Sequence, residues 1–432
     1  IDLIPMTRDR SAEIICVGTE LLLGEILNSN AQFLATELAQ LGIPHYYQTV
    51  VGDNVQRLQQ VVAIAAQRSS LLIFTGGLGP TPDDLTTAAL ADFFGVPLVE
   101  RSDVVADLTE KYARRNRPMS PSNLKQALLP QGADLLTNRM GTAPGVIWQP
   151  TPELTILTFP GVPREMQTMW QEVAVPYLQE QGWATAPIHS RILRFWGISE
   201  AGLAEKVAHL LALPNPTVAP YAGNGEVRLR LSTQAPSVAE AQACIAPIEQ
   251  QIRQITGIDC FGADDDTLAS VVGQYLLAAQ QTLSVAESCT GGGLGHLLTT
   301  AAGSSAYFRG GVISYDNAVK VELLGVSPAD LETQGAVSDV VAQQMAAGVR
   351  SRLKTDWGVS ITGIAGPGGG TNQKPVGLVY IGIATPDGRV LSRSFLLNDR
   401  QGRDWVRWLS MCTALDWLRR ELHTISLPKS LA

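Results

Sequence analysis

Short unbroken apolar runs that end at glycine alternate along the chain with segments whose apolar residues recur every three or four positions. Ile14, Ile15, Cys16 and Val17, closed by Gly18, predict a buried strand. Residues 30–41 place Phe33, Leu34, Leu38 and Leu41 at helical spacing, and Gly42 stops the pattern. Residues 71–75 predict a second buried strand closed by Gly76 and Gly77, and a helix is predicted over 81–94. Residues 154–159 predict a third strand, closed by Pro160 and Gly161. Alternation of strands and helices over about 11–170, with strands apolar throughout, predicts a mainly parallel, doubly wound sheet.

The pattern changes over 187–257. A strand over 190–197, a helix over 199–211, an alternating strand over 226–233 and a helix over 237–255 describe a small α+β module. Residues 257–266 end in Asp264, Asp265 and Asp266 and read as a linker. From 267 to 425 the pattern is again α/β. Strands are predicted over 282–286, 311–315, 357–361 and 376–384, and helices over 293–300, 318–324 and 405–422. The fold class is therefore α/β, with two α/β domains joined by a small α+β module. No internal repeat relates the two.

A chain of 432 residues has room for two to four domains. Ile1 to Pro5 precede Met6 and are left out of the fold reasoning. With 45% hydrophobic and 17% charged residues the chain has ample material for packed cores. A formal charge of −8 argues against non-specific nucleic-acid binding, which needs clustered Lys and Arg, but leaves room for small anionic substrates. Cys16, Cys244, Cys260, Cys289 and Cys412 are odd in number, scattered and without a CxxC pair. That excludes a disulfide framework and a cysteine zinc site, and implies a reducing compartment. No run of 18 apolar residues and no signal-peptide pattern occurs, so the expected location is cytoplasmic.

Ser288, in the segment AESCTGG, follows a predicted strand and precedes glycines that open a helix. That puts its hydroxyl at the carboxyl end of a sheet, where open α/β folds bind ligands. Free N–H groups of the turn and helix start, around Thr290, Gly291 and Gly292, are expected to stabilise an anion or oxyanion. Thr362, Gly363 and Gly366 belong to a second, glycine-rich loop after a strand. A serine nucleophile needs a base. His296 lies within the following helix and suits the surface or packing. Lys320 falls in the first turn of a helix that Asn317 is expected to cap, where the positive end of the dipole and burial both favour a neutral amine. A neutral Lys320 takes the serine proton, with Tyr315 relaying or orienting it. The alternative is an exposed lysine beside a strand-end aromatic. Cys289 is the rival nucleophile.

AESCTGG, GGVISYDNAVK, GAVSDVVAQQMAAG and TGIAGPGGG followed by KPVG, in this order, resemble the CinA C-terminal family, the nicotinamide mononucleotide (NMN) deamidases, over residues 267–425. The resemblance implies Ser288 as nucleophile with Tyr315 and Lys320 as partners. It also implies hydrolysis of the nicotinamide carboxamide with release of ammonia, without a metal. The family's basic segment near the last helix corresponds to Arg400 or Arg407, one of which is expected to meet the substrate phosphate. Two or three extra residues over 398–403 leave the choice open.

In the first segment, Gly76, Gly77, Gly79, Thr81, Asp83 and Asp84 form the strongest motif. Thr81 fits a helix N-cap, Pro82 the first helical position, and the two aspartates complement the dipole. Paired carboxylates also suit a hard cation bound through phosphate. Loops over 18–24, 138–145 and 160–166 are expected at further strand–helix junctions. Together these motifs resemble the CinA N-terminal domain, related to molybdopterin-binding folds, over about 11–170. The resemblance implies ADP-ribose pyrophosphatase activity, giving AMP and ribose 5-phosphate. Glu20, Asp83 and Asp84 are the candidates for binding a divalent metal of unspecified identity or activating water. Residues 187–257 look similar to the KH-like connecting domain of full-length CinA proteins. A nucleic-acid-binding KH module needs a GXXG clamp and a basic surface. The first helix instead carries Ser199, Glu200, Ala201, Gly202 and Glu205, which favours a spacer or dimerisation role. The expectation is a bifunctional, homodimeric enzyme of pyridine-nucleotide recycling. The alternatives are a non-catalytic competence or recombination partner, and molybdopterin-type nucleotidyl transfer by the N-terminal domain.

Overall fold

The computed structural model describes residues 9–397 and 399–426. Ile1 to Pro5 and Asn398 lie outside the described residues. The chain divides into two compact units, residues 1–189 with 233–242, and residues 190–232 with 243–432.

In the first unit, β1 (Asp9–Val17), β2 (His45–Val51), β3 (Ser69–Thr75), β6 (Asp134–Leu136), β7 (Gly145–Thr151) and β8 (Leu154–Phe159) form one sheet in the order β2-β1-β3-β8-β7-β6. β4 (Leu98–Glu100) and β5 (Leu128–Pro130) pair separately. The four strands β2, β1, β3 and β8 are parallel, whereas β7 pairs antiparallel with β8 and β6 antiparallel with β7. Only Pro152 and Glu153 separate β7 from β8, and so short a connection cannot make a parallel crossover. Helix Ser29–Gln40 covers one face, burying Leu34 and Leu38 against Ile14 and Ile73. Helix Val55–Arg68 covers the other, burying Leu58 and Val62 against Ile15 and Phe74.

Two expectations fail in this unit. The helix predicted from Thr81 begins at Thr86, and Leu85, not Thr81, is its N-cap residue. Asp84 Oδ2 accepts from Thr81 N (2.8 Å) and Thr81 Oγ1, which closes a turn over 81–84 and holds Asp83 and Asp84 out of the helix. The two aspartates therefore precede the helix and do not form its first turn. The segment around Asn138 joins two strands, β6 and β7, and is not a strand–helix junction.

In the second unit, β9 (Ile188–Phe195), β10 (Thr217–Gly223), β11 (Glu226–Gln234) and β12 (Cys260–Ala263) form a sheet in the order β10-β11-β9-β12. Its core, including Leu193, Phe195, Leu229 and Leu231, packs against Leu203 and Ile252 of the module's helices. The predicted linker over 257–266 thus contains a four-residue strand, β12, paired antiparallel with β9. Its aspartates close the strand: Asp264 Oδ1 accepts from Ile192 N and Asp266 Oδ2 from Ala263 N.

β13 (Leu283–Glu287), β14 (Phe308–Ile313), β15 (Trp357–Gly363), β16 (Leu378–Ala384) and β17 (Val390–Leu396) form the last sheet, ordered β14-β13-β15-β16-β17. The first three are parallel, and β16 and β17 are antiparallel additions. Helix Asp339–Leu353 buries Val341, Met345 and Val349 on one side, while helices Leu268–Ala279 and Arg403–Ser426 build the core cluster that contains Val285, Trp357 and Ile361. Arg419 is 2% exposed, paired with Asp416, and donates to Ile258 O at 2.7 Å. The C-terminal helix is thereby fastened to the turn that leads into β12. Among the described residues no helix is long and apolar enough to cross a membrane.

Candidate functional site

β13 delivers the chain to the carboxyl edge of its sheet. The chain then turns through Ser288 to Gly292, and helix Gly293–Thr300 begins. Gly292 is the N-cap residue at φ 94°, a left-handed conformation that favours glycine. Glu287 is buried, and its carboxylate accepts from Gly292 N (3.1 Å), Leu294 N (2.9 Å) and Gly295 N (2.8 Å). The helix start expected to be a free anion site is therefore taken by an internal carboxylate, whose burial the helix dipole offsets. Ser288 N donates to Ile361 O and Gly291 N to Ser288 O. Among the described residues, the N–H groups left without a protein acceptor in this turn are those of Cys289 and Thr290.

Lys320 is 1% exposed, in the first turn of helix Asn317–Leu324. That helix is capped by Asp316 Oδ1, which accepts from Ala318 N at 2.7 Å, rather than by Asn317. Lys320 Nζ donates to Ser314 O (2.7 Å) and Tyr315 O (3.2 Å) and lies 3.4 Å from Ser288 Oγ. Burial pushes its pKa below the ordinary lysine value, against the pull of Asp316. A neutral amine has two N–H groups and one lone pair. The two carbonyls take the N–H groups, and the Ser288 hydroxyl is placed to donate to the lone pair.

Cys289 is buried, and burial pushes its thiol up to about 11, so little thiolate forms near neutral pH. Tyr315 is 64% exposed, and its phenol oxygen accepts from Arg403 Nη2 at 3.2 Å. Its carbonyl, not its phenol, touches Lys320. The expected side-chain relay has no counterpart among the described hydrogen bonds. His296 is exposed.

Thr290 is buried with its Oγ1 unpartnered, while Gly291 is exposed. Thr362 is buried and its hydroxyl donates to Ala336 O (2.8 Å); Gly363 ends β15. Gly366 O accepts from Arg403 Nη1 at 2.6 Å, and Thr290 O from Arg407 Nη2 at 2.9 Å. Arg403 and Arg407, one helical turn apart, thus reach the two loops that flank Ser288. Arg400 sits in the exposed turn before the helix. Sequence reasoning missed Arg403 because it began the helix at 405. The four-residue spacing from Arg407 was the available signal. Glu287 was also missed, although a carboxylate ending a buried strand ahead of a glycine-opened helix is a capping pattern.

In the first unit, Glu20, Asp53, Asp83, Asp84 and Glu165 line one cavity of about 460 Å³ together with the backbone of Gly76, Gly77 and Gly79. Gly76 has φ 106°, and a Cβ there would lie 2.0 Å from Val17 O, so no other residue fits this approach of β3 to β1. Thr81 stands outside the lining and pins Asp84. Asp53 and Glu165 were not foreseen. Asp53 is held by Thr19 N (2.9 Å) and Thr19 Oγ1 (2.7 Å). Gln126 donates to Leu78 O and keeps a buried, unpartnered Oε1. Among the described residues no three His, Cys, Asp or Glu side chains gather closely enough to hold a metal by themselves. The arrangement fits a cation shared between one or two carboxylates and substrate oxygens, not an all-protein cage.

Residues 265–422 match the family model of the CinA C-terminal domain, residues 13–180 that of a probable molybdopterin binding domain, and residues 190–262 that of the damage-inducible protein CinA KH domain. The chain is 67% identical over 417 residues to a CinA-like protein of Cyanothece sp., covering 96% of this chain and 100% of that one. It is 67% identical over 412 residues to a CinA-like protein of Thermosynechococcus vestitus, covering 95% and 99%. The crystal structure of competence/damage inducible protein CihA from Agrobacterium tumefaciens is 38% identical, with a TM-score of 0.35, covering 37% of this chain and 97% of that chain. With all three domains matched in order and relatives aligned over nearly their whole length, the chain belongs to the CinA family.

Proposed function

We propose that the C-terminal domain hydrolyses the carboxamide of nicotinamide mononucleotide, with Ser288 as nucleophile and Lys320 as its base. The observation that carries this reading is the buried Lys320 amine, held by two carbonyls with its nitrogen 3.4 Å from Ser288 Oγ. Lys320 accepts the hydroxyl proton as Ser288 Oγ attacks the amide carbon. The N–H groups of Cys289 and Thr290 are the donors available to the resulting oxyanion. The C–N bond then breaks, and the leaving nitrogen takes the proton back from Lys320 and departs as ammonia. Lys320 next deprotonates a water that attacks the acyl-enzyme, releasing the carboxylate product and restoring Ser288. Arg403 and Arg407 each retain unused N–H donors and are suited to the substrate phosphate. The test is ammonia release from NMN by the full chain. Ser288→Ala abolishes turnover and Cys289→Ala retains it, and a Ser288→Ala variant that still turns over overturns the reading.

The N-terminal cavity supports a second activity, hydrolysis of ADP-ribose to AMP and ribose 5-phosphate. Five carboxylates and a glycine-rich backbone share one cavity beside β1 and β3. Glu20 and Asp83 would hold a divalent cation together with substrate oxygens, and the cation would neutralise charge on the pyrophosphate. Asp53, fixed by Thr19, is suited to orienting the attacking water.

A further inference from the structure

The second unit contains a cavity of about 190 Å³ between the sheet β10-β11-β9-β12 and the C-terminal α/β domain, and no residue of the Ser288 turn lines it. Its apolar walls include the rings of Trp196, Phe261 and Trp408 and the thiol of Cys412. Trp196, Phe261 and Cys412 are buried, and Trp408 Nε1 is already spent on Asn224 O at 2.9 Å, so the indole adds a flat surface and no free donor. The space is open to solvent beside the exposed Thr267 and Thr300, so a small ligand can reach the ring-lined walls.

The remaining wall is charged. Glu226 is paired with Arg194 (Nη2 to Oε1, 2.7 Å) and also with Arg228. Two guanidinium groups against one carboxylate leave this wall with a formal charge of +1. The Arg194 guanidinium also lies over the Phe261 ring at 5.9 Å, so charge and aromatic surface meet in one corner. Helix Leu268–Ala279 starts at the cavity, where Thr267, Leu268 and Ala269 line it, and adds the positive end of a helix dipole.

We propose that this cavity binds a small planar aromatic monoanion, with its ring among the aromatic walls and its anionic group toward Arg194, Arg228 and the helix start. Size restricts the ligand. An apolar cavity of ~150 Å³ holds benzene, so about 190 Å³ takes a single ring with a small acidic substituent. Nucleotides need pockets of roughly 300 Å³ or more, so this is not a second nucleotide site. Charge restricts it further, because a neutral ring leaves the excess guanidinium charge unanswered and a dianion overshoots it.

The test is calorimetric titration of the full chain with sodium benzoate and, separately, with benzamide, its neutral counterpart of the same shape. Benzoate is expected to bind with one site per chain, and benzamide about tenfold or more weakly. Thr300→Trp places an indole at the cavity from an exposed position, and Cys412→Leu fills it from within. Each is expected to weaken benzoate about tenfold or more. Arg228→Gln leaves Glu226 paired with Arg194 and is expected to abolish the preference for benzoate over benzamide. Equal affinity for the two ligands, absence of benzoate binding, or benzoate binding that survives both filling substitutions overturns the proposal.

Discussion

Replacing Lys320 with methionine keeps the length and apolar stem of the side chain and removes its nitrogen. The carbonyls of Ser314 and Tyr315 lose their donor, and Ser288 loses its base. A buried acceptor left unpaired costs about 1–3 kcal/mol, but the amine no longer has to be desolvated. The net change in stability is therefore expected to stay within about 2 kcal/mol, and the variant should fold. The catalytic loss is larger. A positioned general base contributes ~10²–10⁴-fold, or about 2.7–5.5 kcal/mol of barrier.

The assay is ammonia release from NMN as a function of pH. Only the neutral amine accepts a proton, so wild-type kcat/KM is expected to rise along an acid limb whose midpoint lies below the ordinary 10.5 of lysine. The same shift enters stability with a defined sign. Because the folded-state pKa is depressed, the unfolded chain binds more protons between that value and 10.5. Stability therefore rises with pH across that window, and the contribution is unfavourable below it. Lys320→Met is expected to lose both the slope and the activity. A methionine variant with turnover within about threefold of wild type, or with the same acid limb, refutes a basic role for Lys320.

Glu287→Ala leaves three backbone N–H groups of one helix start without an acceptor, and is expected to destabilise the protein by about 3 kcal/mol or more in urea unfolding. An unchanged midpoint would mean that the helix start finds another acceptor. Arg403→Gln is expected to raise KM for NMN about tenfold with kcat little altered. A fall in kcat at constant KM contradicts a role in holding substrate. Chelation of divalent cations is expected to abolish ADP-ribose hydrolysis and spare NMN deamidation, and Glu20→Gln to weaken only the former. Loss of both activities on chelation would count against metal-free chemistry at Ser288.

Strands buried on both faces were legible in the sequence. β8 and helix Gly293–Thr300 match the predicted bounds. Strands at sheet margins were not, because their residues are mixed in exposure and their pairing is non-local. β2 and β17 are exposed or half-buried over most of their length and drew no assignment, and the short β12 read as a linker because its partner, β9, lies more than sixty residues earlier. The start of the helix after Gly79 was misread for a different reason. Thr81 and Pro82 satisfy the local capping pattern, but the Asp84 carboxylate accepts from Thr81 N and Oγ1 and closes a turn there instead.

By itself the sequence determined that there are two α/β segments around a smaller module, and that Ser288 follows a strand and precedes a glycine-opened helix. Those are local properties of period and turn chemistry. What the tertiary structure decided is which groups meet and which are dry. Lys320 reaches Ser288 across 32 residues of chain, and Arg403 reaches Gly366 across 37. The case for serine over cysteine rests on burial of the Cys289 thiol, and the case for a neutral lysine on burial of the Lys320 amine. Proton affinity depends on the surrounding dielectric and the nearest charges, and packing, not residue order, sets both.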